Sequence, residues 1–506
     1  MKKIFTILLS LATVTTALAG GPMTNTNQSA AFLRSIARGT TLDTDAVYNN
    51  PAGTVFMEDG WHLGINNQMA KQTRTITSSF APFNMGINNM SLLQLDDKGY
   101  MQYLPKEFTG EVFSPLVPSV HLTWKKNRWA VMLGMGVNGG GGSLEFNDGL
   151  GSFERQFAVL PMGMQQLGVN ATKYGMDMYL KGSSQTLAFN AGVAFRITDW
   201  LSAAAMVRYS TSSNAYEGYM KNISVLVGNK LTPASAIFGN AFSQLQNQLT
   251  GLQAQYEQVV GAYGADSEAA QQLAAGMQQV GEAMTTVGTN AVKTADHILD
   301  VKQTGYSISP VLALYFQKGK WAASAKYEFK MATELEIESA EVSANDAVIN
   351  ALFPNGAKVK AETPALLALA ASRECGPVKI TAEYHLFFDK DAENSFSSCI
   401  EGNTMEYLLG AEWQISKKWL VSCGAQRTQL NMNENAYSDM NYSISSWSTA
   451  IGAAYQVCDM IRINVGLMPT FYDEATAVGK DSNGIDFKDV YNRTSMAWGI
   501  GLDFKF

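Results

Sequence analysis

Apolar and polar residues alternate in steps of two along most of this chain, which is the period of a β-strand. The clearest example is residues 498–506, where five large apolar side chains alternate with glycine, aspartate and lysine. Residues 187–195, 201–209 and 461–467 repeat the pattern with different side chains. One face of each predicted strand is therefore apolar, and the other face is polar or small.

Short turns join these segments into six hairpins. The turns lie at residues 125–127, 198–199, 318–320, 374–376, 416–418 and 458–459. With a strand near 61–69 and the C-terminal strand, the hairpins give about fourteen strands, an even number as in bacterial single-chain barrels. The strands before 374 and after 419 alternate poorly, so the count is open by about two. Tryptophans beside the turns suit an interfacial belt. The sequence predicts an all-β fold, a transmembrane antiparallel β-barrel over residues 59–506.

Residues 223–300 interrupt the alternation with a different period. Apolar residues recur there at steps of three and four, and Asp266 or Ser267 can cap a second helix, so we expect a helical hairpin in an extracellular loop. The two apolar stripes either pack on each other or form a groove for an apolar ligand. The groove candidates are Leu245, Leu249, Leu252, Met277, Val280 and Met284.

The N-terminal residues have the pattern of a secretory signal peptide. Lys2 and Lys3 precede an apolar run over 4–12, and Ala17-Leu18-Ala19 matches a cleavage site. We therefore expect residues 1–19 to be removed on export. Together with a barrel, export predicts the outer membrane of a Gram-negative bacterium, contact with its lipid, and insertion by the barrel assembly machinery.

Composition and charge exclude several other classes of protein. The net charge of −7 argues against nucleic acid as a partner. A mean hydropathy of −0.06 does not exclude a membrane barrel, because barrel strands alternate apolar and polar residues. The four cysteines have no metal-type spacing, so they are either small apolar residues or include one disulfide pair. We expect no metal and no cofactor. The motifs G-x-S-x-G and H-E-x-x-H do not occur, and we expect no enzymatic activity.

A resemblance to a known family begins after the predicted cleavage site. Three stretches are Asn27-Gln28-Ser29, Arg38-Gly39 and residues 45–53, the last of which contains Asn50-Pro51-Ala52. They resemble the hatch segment and the Asn-Pro-Ala signature of the FadL-type outer-membrane transporters of long-chain fatty acids and other hydrophobic compounds. The order of hatch, barrel and helical loop is similar along nearly the whole chain. The sequence departs from the family at Phe32-Leu33-Arg34, where members often carry glycines. On its own residues, Asn50-Pro51 is a stiff bend that an ordinary turn also explains.

The resemblance implies a hatch over residues 20–58 inside the barrel and a defined transport route. The ligand would land in a loop groove, reach a pocket in the lumen, and leave sideways after the hatch shifts. The exit would lie where the third strand, residues 129–137, kinks inward. Gly134 and Gly136 are candidates for that kink, or else a small-residue face toward the lumen.

Inward-facing cations are candidates for binding a ligand carboxylate. Arg208 and Lys326 are the first choices. Lys379 and Arg462 also lie on the polar, inward-facing side of their predicted strands. Each could instead form a lumen salt bridge with an acid such as Glu328 or Glu383. The expected function is passive uptake of long-chain fatty acids or similar hydrophobic molecules. The alternatives are an aromatic compound or haem as cargo, a barrel enzyme, a general porin, or a structural barrel without a pore.

Overall fold

The computed structural model describes residues 25–98, 100–439 and 442–506. The predicted signal peptide, residues 1–19, and the first part of the predicted hatch, residues 20–24, lie outside the described residues.

Fourteen long strands form one closed antiparallel β-barrel, so the predicted fold class and strand number are confirmed. Strands β1–β14 are Gly60–Phe80, Lys106–Lys126, Trp129–Phe146, Ala171–Arg196, Leu201–Val227, His297–Lys318, Trp321–Glu328, Leu366–Cys375, Val378–Phe387, Thr404–Gln414, Trp419–Gln429, Ser446–Cys458, Ile461–Tyr472 and Asp486–Lys505. Each strand pairs with its neighbours in the chain. The ring closes where β14 pairs with β1, from His62 opposite Lys505 to Phe80 opposite Phe487.

The connections between strands define two different ends of the barrel. Six connections are turns of two to four residues, at the six predicted positions, and the other seven are long. We call these ends the turn end and the loop end. Both β1 and β14 meet the chain's outer segments at the turn end. Short turns on one side and long loops on the other are typical of outer-membrane barrels.

An apolar belt surrounds the outside of the barrel because every second side chain of each strand points outward. In β12, Ile451 is 62% exposed, whereas its neighbour Ala450, which points inward, is 5% exposed. Exposed tryptophans, including Trp61, Trp129 and Trp321, lie at the turn end of this belt. Apolar side chains exposed in a ring and bordered by aromatic residues are the surface that a lipid bilayer covers.

The loops carry short additional elements. The α-helices α1–α8 are Ala30–Ser35, Ala46–Asn49, Gly151–Ala158, Leu160–Gln166, Ala234–Tyr263, Glu268–Lys293, Glu341–Ala344 and Ala347–Leu352. Short strands are Leu93–Leu95, Met101–Tyr103, Lys230–Pro233, Glu334–Ser339, Lys358–Lys360 and Ala475–Lys480. The 3-10 helices are Pro51–Phe56, Ala81–Met85, Met90–Leu92, Asp389–Asp391 and Glu434–Ala436. In the described parts of the chain, helices with the length and apolar character needed to cross a membrane are absent.

The predicted helical hairpin is present, and it is shorter than the predicted segment 223–300. Helices α5 and α6 are antiparallel neighbours, and Ser267 caps α6 by accepting a hydrogen bond from the backbone N–H of Ala270 at 3.3 Å. The ends of the predicted segment belong instead to β5 and β6, which continue past the belt toward the loop end. These long strands raise the helical hairpin above the barrel.

A large apolar cluster fills the part of the lumen nearest the loop end. Its members come from strands on opposite sides of the ring and from the loop helices, so it ties the loops to the wall. We call it the lumen cluster. It includes Ile76, Phe108, Val112, Leu144, Leu180, Tyr216, Ile337, Ile349, Phe353, Tyr442 and Tyr491.

Candidate functional site

The segment before β1 folds inside the barrel, where the resemblance placed a hatch. Ser29 begins α1 by accepting a hydrogen bond from the backbone N–H of Phe32 at 3.0 Å. The apolar side of this short helix, with Phe32, Leu33 and Ile36, packs on small and apolar wall residues. Gly466 makes this approach possible, because a Cβ there would lie 2.6 Å from the backbone nitrogen of Arg34. The hatch therefore occupies the turn-end half of the lumen.

Buried ion pairs anchor the middle of the hatch to the wall. The guanidinium groups of Arg34 and Arg38 lie 2.6 and 2.9 Å from the same carboxylate oxygen of Glu412 in β10. Arg38 also pairs with Asp43 at 2.7 Å and with Asp45 at 2.9 Å. Both arginine side chains are almost fully buried. We call this group, together with Arg462, which lies 2.9 Å from Asp43, the ion cluster.

Asp43 of the ion cluster stays charged in moderate acid. Burial by itself raises the pKa of Asp43, but the positive charges of Arg462, Arg38 and Arg34 outweigh it and hold that pKa well below its ordinary value. A carboxylate with a depressed folded-state pKa stabilises the fold above its unfolded pKa, and the stabilisation is lost as pH falls through the folded value. The anchor is therefore expected to persist at about pH 4, near the ordinary pKa of aspartate.

The Asn-Pro-Ala residues form the bend that leads from the hatch toward β1. The side-chain amide of Asn50 donates to the carbonyl of Thr41 at 2.9 Å. Pro51 begins a 3-10 helix, and the carbonyl of Ala52 accepts from the hydroxyl of Ser202 in β5 at 2.5 Å. A Cβ at Gly53 would lie 2.1 Å from the amide nitrogen of Asn50, so the bend requires glycine there. A role of this bend in transport stays a prediction.

Strands β2 and β3 separate over part of their length. They pair from Lys126 opposite Trp129 to Ser119 opposite Gly136, and pair again at Glu111 and Gly110. Between these stretches, residues 112–118 of β2 and 137–144 of β3 do not pair with each other. Each strand keeps pairing with its other neighbour there, with a bulge in β2 at residues 115–116 and bulges in β3. We call this interruption of the ladder the wall opening.

The start of the hatch occupies the inner side of the wall opening. The side-chain amides of Asn25 and Gln28 donate to the carbonyl of Val137 at 3.1 and 2.7 Å. The backbone N–H of Asn25 donates to the carbonyl of Asn138 at 2.8 Å. Ser119 of β2 donates through its hydroxyl to the carbonyl of Gln28. Donors from the hatch thus replace the backbone donors that β2 would otherwise supply.

The structure places Gly134 and Gly136 next to the wall opening rather than in it. Both residues pair regularly with β2 and β4, and the irregular stretch begins one residue later. A Cβ at Gly134 would lie 3.0 Å from Val47, and one at Gly136 would lie 2.0 Å from the amide oxygen of Gln28. The two glycines therefore form the small-residue face toward the lumen, where the hatch approaches closely.

Arg208 and Lys326 face the lumen as predicted, but each already has an acidic partner. Arg208 forms a buried salt bridge with Glu328, and Lys326 lies 2.7 Å from the other oxygen of that carboxylate. The ammonium group of Lys326 also donates to the carbonyl of Tyr48 in the hatch at 2.9 Å. This arrangement is the lumen salt bridge that the sequence left open as the alternative to a ligand carboxylate site.

A small cavity of about 40 Å³ lies near the loop end of the lumen. Among the described residues, its wall contains no lysine, arginine, aspartate or glutamate. Its lining comes from β4, β5, β6, the start of α3 and helix α8, and it includes Met178, Leu180, Met220, Leu299, Leu352 and Phe353. We call it the apolar cavity. A polar cavity of about 580 Å³ shares Met178 and Tyr219 with it.

The predicted groove residues of the helical hairpin face the partner helix or the barrel. Leu245 packs with the apolar residues at the base of the hairpin, which include Phe238 and Val287. Val280 is buried, and Leu249, Leu252, Met277 and Met284 are half-buried. The apolar stripes of α5 and α6 therefore pack on each other. A ligand groove on the hairpin stays a prediction.

Sequence reasoning missed the ion cluster and the loop residues of the apolar cavity, and it placed the exit in the wall a few residues before the opening in β3. The wall opening had a further signal in the chain, since Pro115 and Pro118 lack the N–H that a regular interior strand needs. Arg34 and Arg38 lie four residues apart in the sequence, but nothing in it indicated Glu412 as their shared partner.

Solved structures with a similar architecture include a FadL homologue and a toluene transporter. The crystal structure of a Pseudomonas aeruginosa FadL homologue is similar with a TM-score of 0.59 at 13% identity, over 96% of this chain and 100% of that chain. The Pseudomonas putida toluene transporter TodX is similar with a TM-score of 0.51 at 11% identity, over 96% and 100% of the two chains. No protein-family model and no curated protein sequence matches the chain. The chain therefore has the FadL-type barrel fold.

Replacing Glu412 with glutamine is expected to loosen the middle of the hatch. Two buried guanidinium groups would lose their shared carboxylate, and breaking a buried ion pair costs about 3–5 kcal/mol. Hydrogen exchange should show faster exchange in residues 34–45. The matched control is Asp473→Asn, which breaks the exposed pair with Arg427 and should change little. Equal exchange in Glu412→Gln and wild type would contradict the anchoring role.

Replacing Gly136 with alanine is expected to loosen the start of the hatch alone. The new methyl group would displace the side chain of Gln28, which bonds the carbonyls of Asn25 and Val137. Loss of two hydrogen bonds costs about 1 kcal/mol each. Exchange should rise in residues 25–29 and stay constant in residues 34–45. Uniform loosening of both segments would show that the hatch is one cooperative unit.

Proposed function

We propose that the protein is a FadL-type outer-membrane channel for passive uptake of small, neutral, hydrophobic molecules. The observation that carries the proposal is the wall opening between β2 and β3, which lies within the apolar belt and borders the lumen cluster. A ligand that leaves there enters lipid directly. The outer-membrane location rests on the apolar belt, the aromatic residues at its edge and the FadL-type fold.

The apolar surfaces of the lumen lie in a sequence that suits such a route. The polar cavity at the loop end adjoins the apolar cavity. Leu180, Ile349 and Phe353 belong both to the apolar cavity and to the lumen cluster. The same cluster contains Val112 of β2 and Leu144 of β3, at the rim of the wall opening. A ligand would move between apolar surfaces from the loop end to the bilayer.

A route between apolar surfaces lowers the barrier for an apolar cargo. Each buried methylene group is stabilised by about 0.8 kcal/mol relative to water, so a water-filled lumen would oppose passage of such a molecule. The hatch fills the turn-end half of the lumen, which disfavours a general porin. We also propose that the barrel has no catalytic activity.

The four inward-facing cations predicted from the sequence favour a neutral cargo over a long-chain fatty acid. Arg208, Lys326 and Arg462 pair with carboxylates, and Lys379 donates to the carbonyl of Thr40 in the hatch. A fatty acid carboxylate that bound to one of these four groups would have to displace its partner. The toluene transporter with the same fold supports a neutral aromatic or aliphatic molecule as cargo. Long-chain fatty acids remain the second candidate, supported by the FadL homologue.

Uptake by Gram-negative cells that express the protein tests this function. The probe is N-phenyl-1-naphthylamine, a neutral fluorophore that an intact outer membrane excludes, and laurate is the anionic comparison. Expression is expected to accelerate probe uptake several-fold and laurate uptake less. Faster uptake of laurate than of the neutral probe would favour the fatty acid candidate. Equal uptake with and without the protein would refute the proposal.

Placing a charge in the apolar cavity is expected to slow uptake. Leu299→Lys would put an ammonium group against the methionine and leucine side chains, where an unpaired polar group costs several kcal/mol. The matched control is Leu231→Lys, at an exposed position of the connection that precedes β6. Probe uptake should fall about tenfold or more in Leu299→Lys alone. Equal uptake in both variants would show that the ligand bypasses the cavity.

A charge in the middle of the apolar belt is expected to destabilise the barrel in a bilayer. Ile451→Lys should cost about 2–4 kcal/mol in lipid, because lysine at the bilayer midplane loses its hydration. Thr109→Lys, at an exposed position of β2 nearer the loop end, is the control and should change little. Unfolding by urea in lipid vesicles measures the difference. Equal stabilities would contradict the placement of the belt in lipid.

A further inference from the structure

The loop between β7 and β8 covers the apolar cavity. Helix α8 and the next residue contribute Ile349, Leu352 and Phe353 to the lining, and the ring of Phe353 lies 5.6 Å from that of Tyr216 in the barrel wall. These side chains form the side of the cavity that belongs to this loop. We call residues 346–353 the lid.

The part of the loop just before the lid is fixed to β6. The backbone N–H of Ala340 donates to the carbonyl of Asp300 at 3.0 Å. The buried hydroxyl of Ser343 donates to the carbonyl of Ile298 at 2.9 Å and accepts from the N–H of Asp300 at 2.8 Å. Helix α7 is therefore a fixed point on the wall, and the lid begins three residues after Ser343.

One side-chain pair holds the beginning of the lid. A carboxylate oxygen of Asp346 lies 2.7 Å from Nδ1 of His297, the first residue of β6. The other oxygen of Asp346 accepts from the N–H groups of Val348 and Ile349 at 2.8 and 3.1 Å and so caps α8. The carboxylate therefore fixes the lid helix and attaches it to the wall at the same time.

The same histidine also contacts the helical hairpin. Its Nε2 lies 3.2 Å from the carbonyl oxygen of Lys293, in the last turn of α6. The two ring nitrogens therefore face two oxygen atoms, one in the lid and one in the helical hairpin. His297 is 3% exposed and Asp346 is 15% exposed, so water competes little for these contacts. The histidine thus connects the end of the hairpin to the cap of the lid helix.

We infer that His297 and Asp346 form a latch that controls access to the apolar cavity. This inference rests on the proposed function, because it assigns the step by which the cargo enters. A hydrophobic molecule that arrives at the loop end reaches the cavity when the lid swings about α7, and the swing requires the latch to separate. Displacement of the end of α6 moves His297, so a ligand that pushes on the helical hairpin also strains the latch.

A latch and a binding contact differ in their kinetic effect. A contact residue changes mainly the dissociation rate of a ligand. A latch limits both entry and exit, because the lid must open for each. Removing the latch therefore raises both rate constants and changes their ratio, the Kd, much less.

Stopped-flow binding of N-phenyl-1-naphthylamine to the purified full-length protein in an amphipathic polymer tests the latch. Asp346→Asn is the first variant, since asparagine also caps helices well and keeps α8 intact while the charge is removed. His297→Gln removes the other partner. Both variants should increase the association and dissociation rates about tenfold, which corresponds to ~1.4 kcal/mol of the opening barrier. The control is Lys360→Gln, in the same connection as the lid, which breaks an exposed pair with Glu393 of the connection between β9 and β10.

The outcomes of this experiment distinguish a failure of the latch from a failure of the proposed uptake function. Faster association and dissociation in both latch variants, with wild-type rates in the control, support the latch. Wild-type rates in both latch variants overturn the latch and leave the proposed function intact, as does an increase in the dissociation rate alone. Absence of saturable probe binding by the wild-type protein overturns both proposals.

Discussion

A backbone carbonyl group that faces the interior of a bilayer without a hydrogen-bond donor costs several kcal/mol, and this constraint governs how the barrel wall can be interrupted. Strands β2 and β3 do not pair over residues 112–118 and 137–144. The interruption is tolerated because Asn25 and Gln28 of the hatch donate to the free carbonyls of Val137 and Asn138. The wall opening therefore depends on the beginning of the hatch for hydrogen-bond donors.

The hatch is attached to the barrel by two kinds of interaction of different strength. Residues 34–45 are held by the ion cluster, in which Glu412 serves two buried arginines. Residues 25–28 are held by neutral hydrogen bonds at the wall opening. Neutral hydrogen bonds contribute about 1 kcal/mol each, whereas breaking a buried ion pair costs about 3–5 kcal/mol. The beginning of the hatch can therefore leave the opening while its middle keeps the lumen closed.

Much of the fold followed from the alternation of residues, and much of the site did not. Alternation fixed the strands, the turns and the inward phase of Arg208 and Lys326, because the period of two decides which side chains share a face. It named Glu328 as a possible partner but could not show that this one carboxylate pairs with both cations, since the contact with Arg208 joins two strands at positions 120 residues apart in the chain. The period of α5 and α6 indicated two helices but not whether their stripes pack together. Pro115 and Pro118 marked the wall opening in a strand that otherwise alternates well.

The most direct test of the account is to measure probe uptake and ion conductance with the same protein. Cells that express it would be assayed for uptake of N-phenyl-1-naphthylamine, and the purified protein would be inserted in planar bilayers. The account predicts accelerated uptake without a steady ion current, because the cargo leaves through the wall while the ion cluster keeps the hatch in the lumen. A steady current that rises and falls with uptake across variants of the hatch would contradict it, since the cargo would then share a water-filled pore with ions.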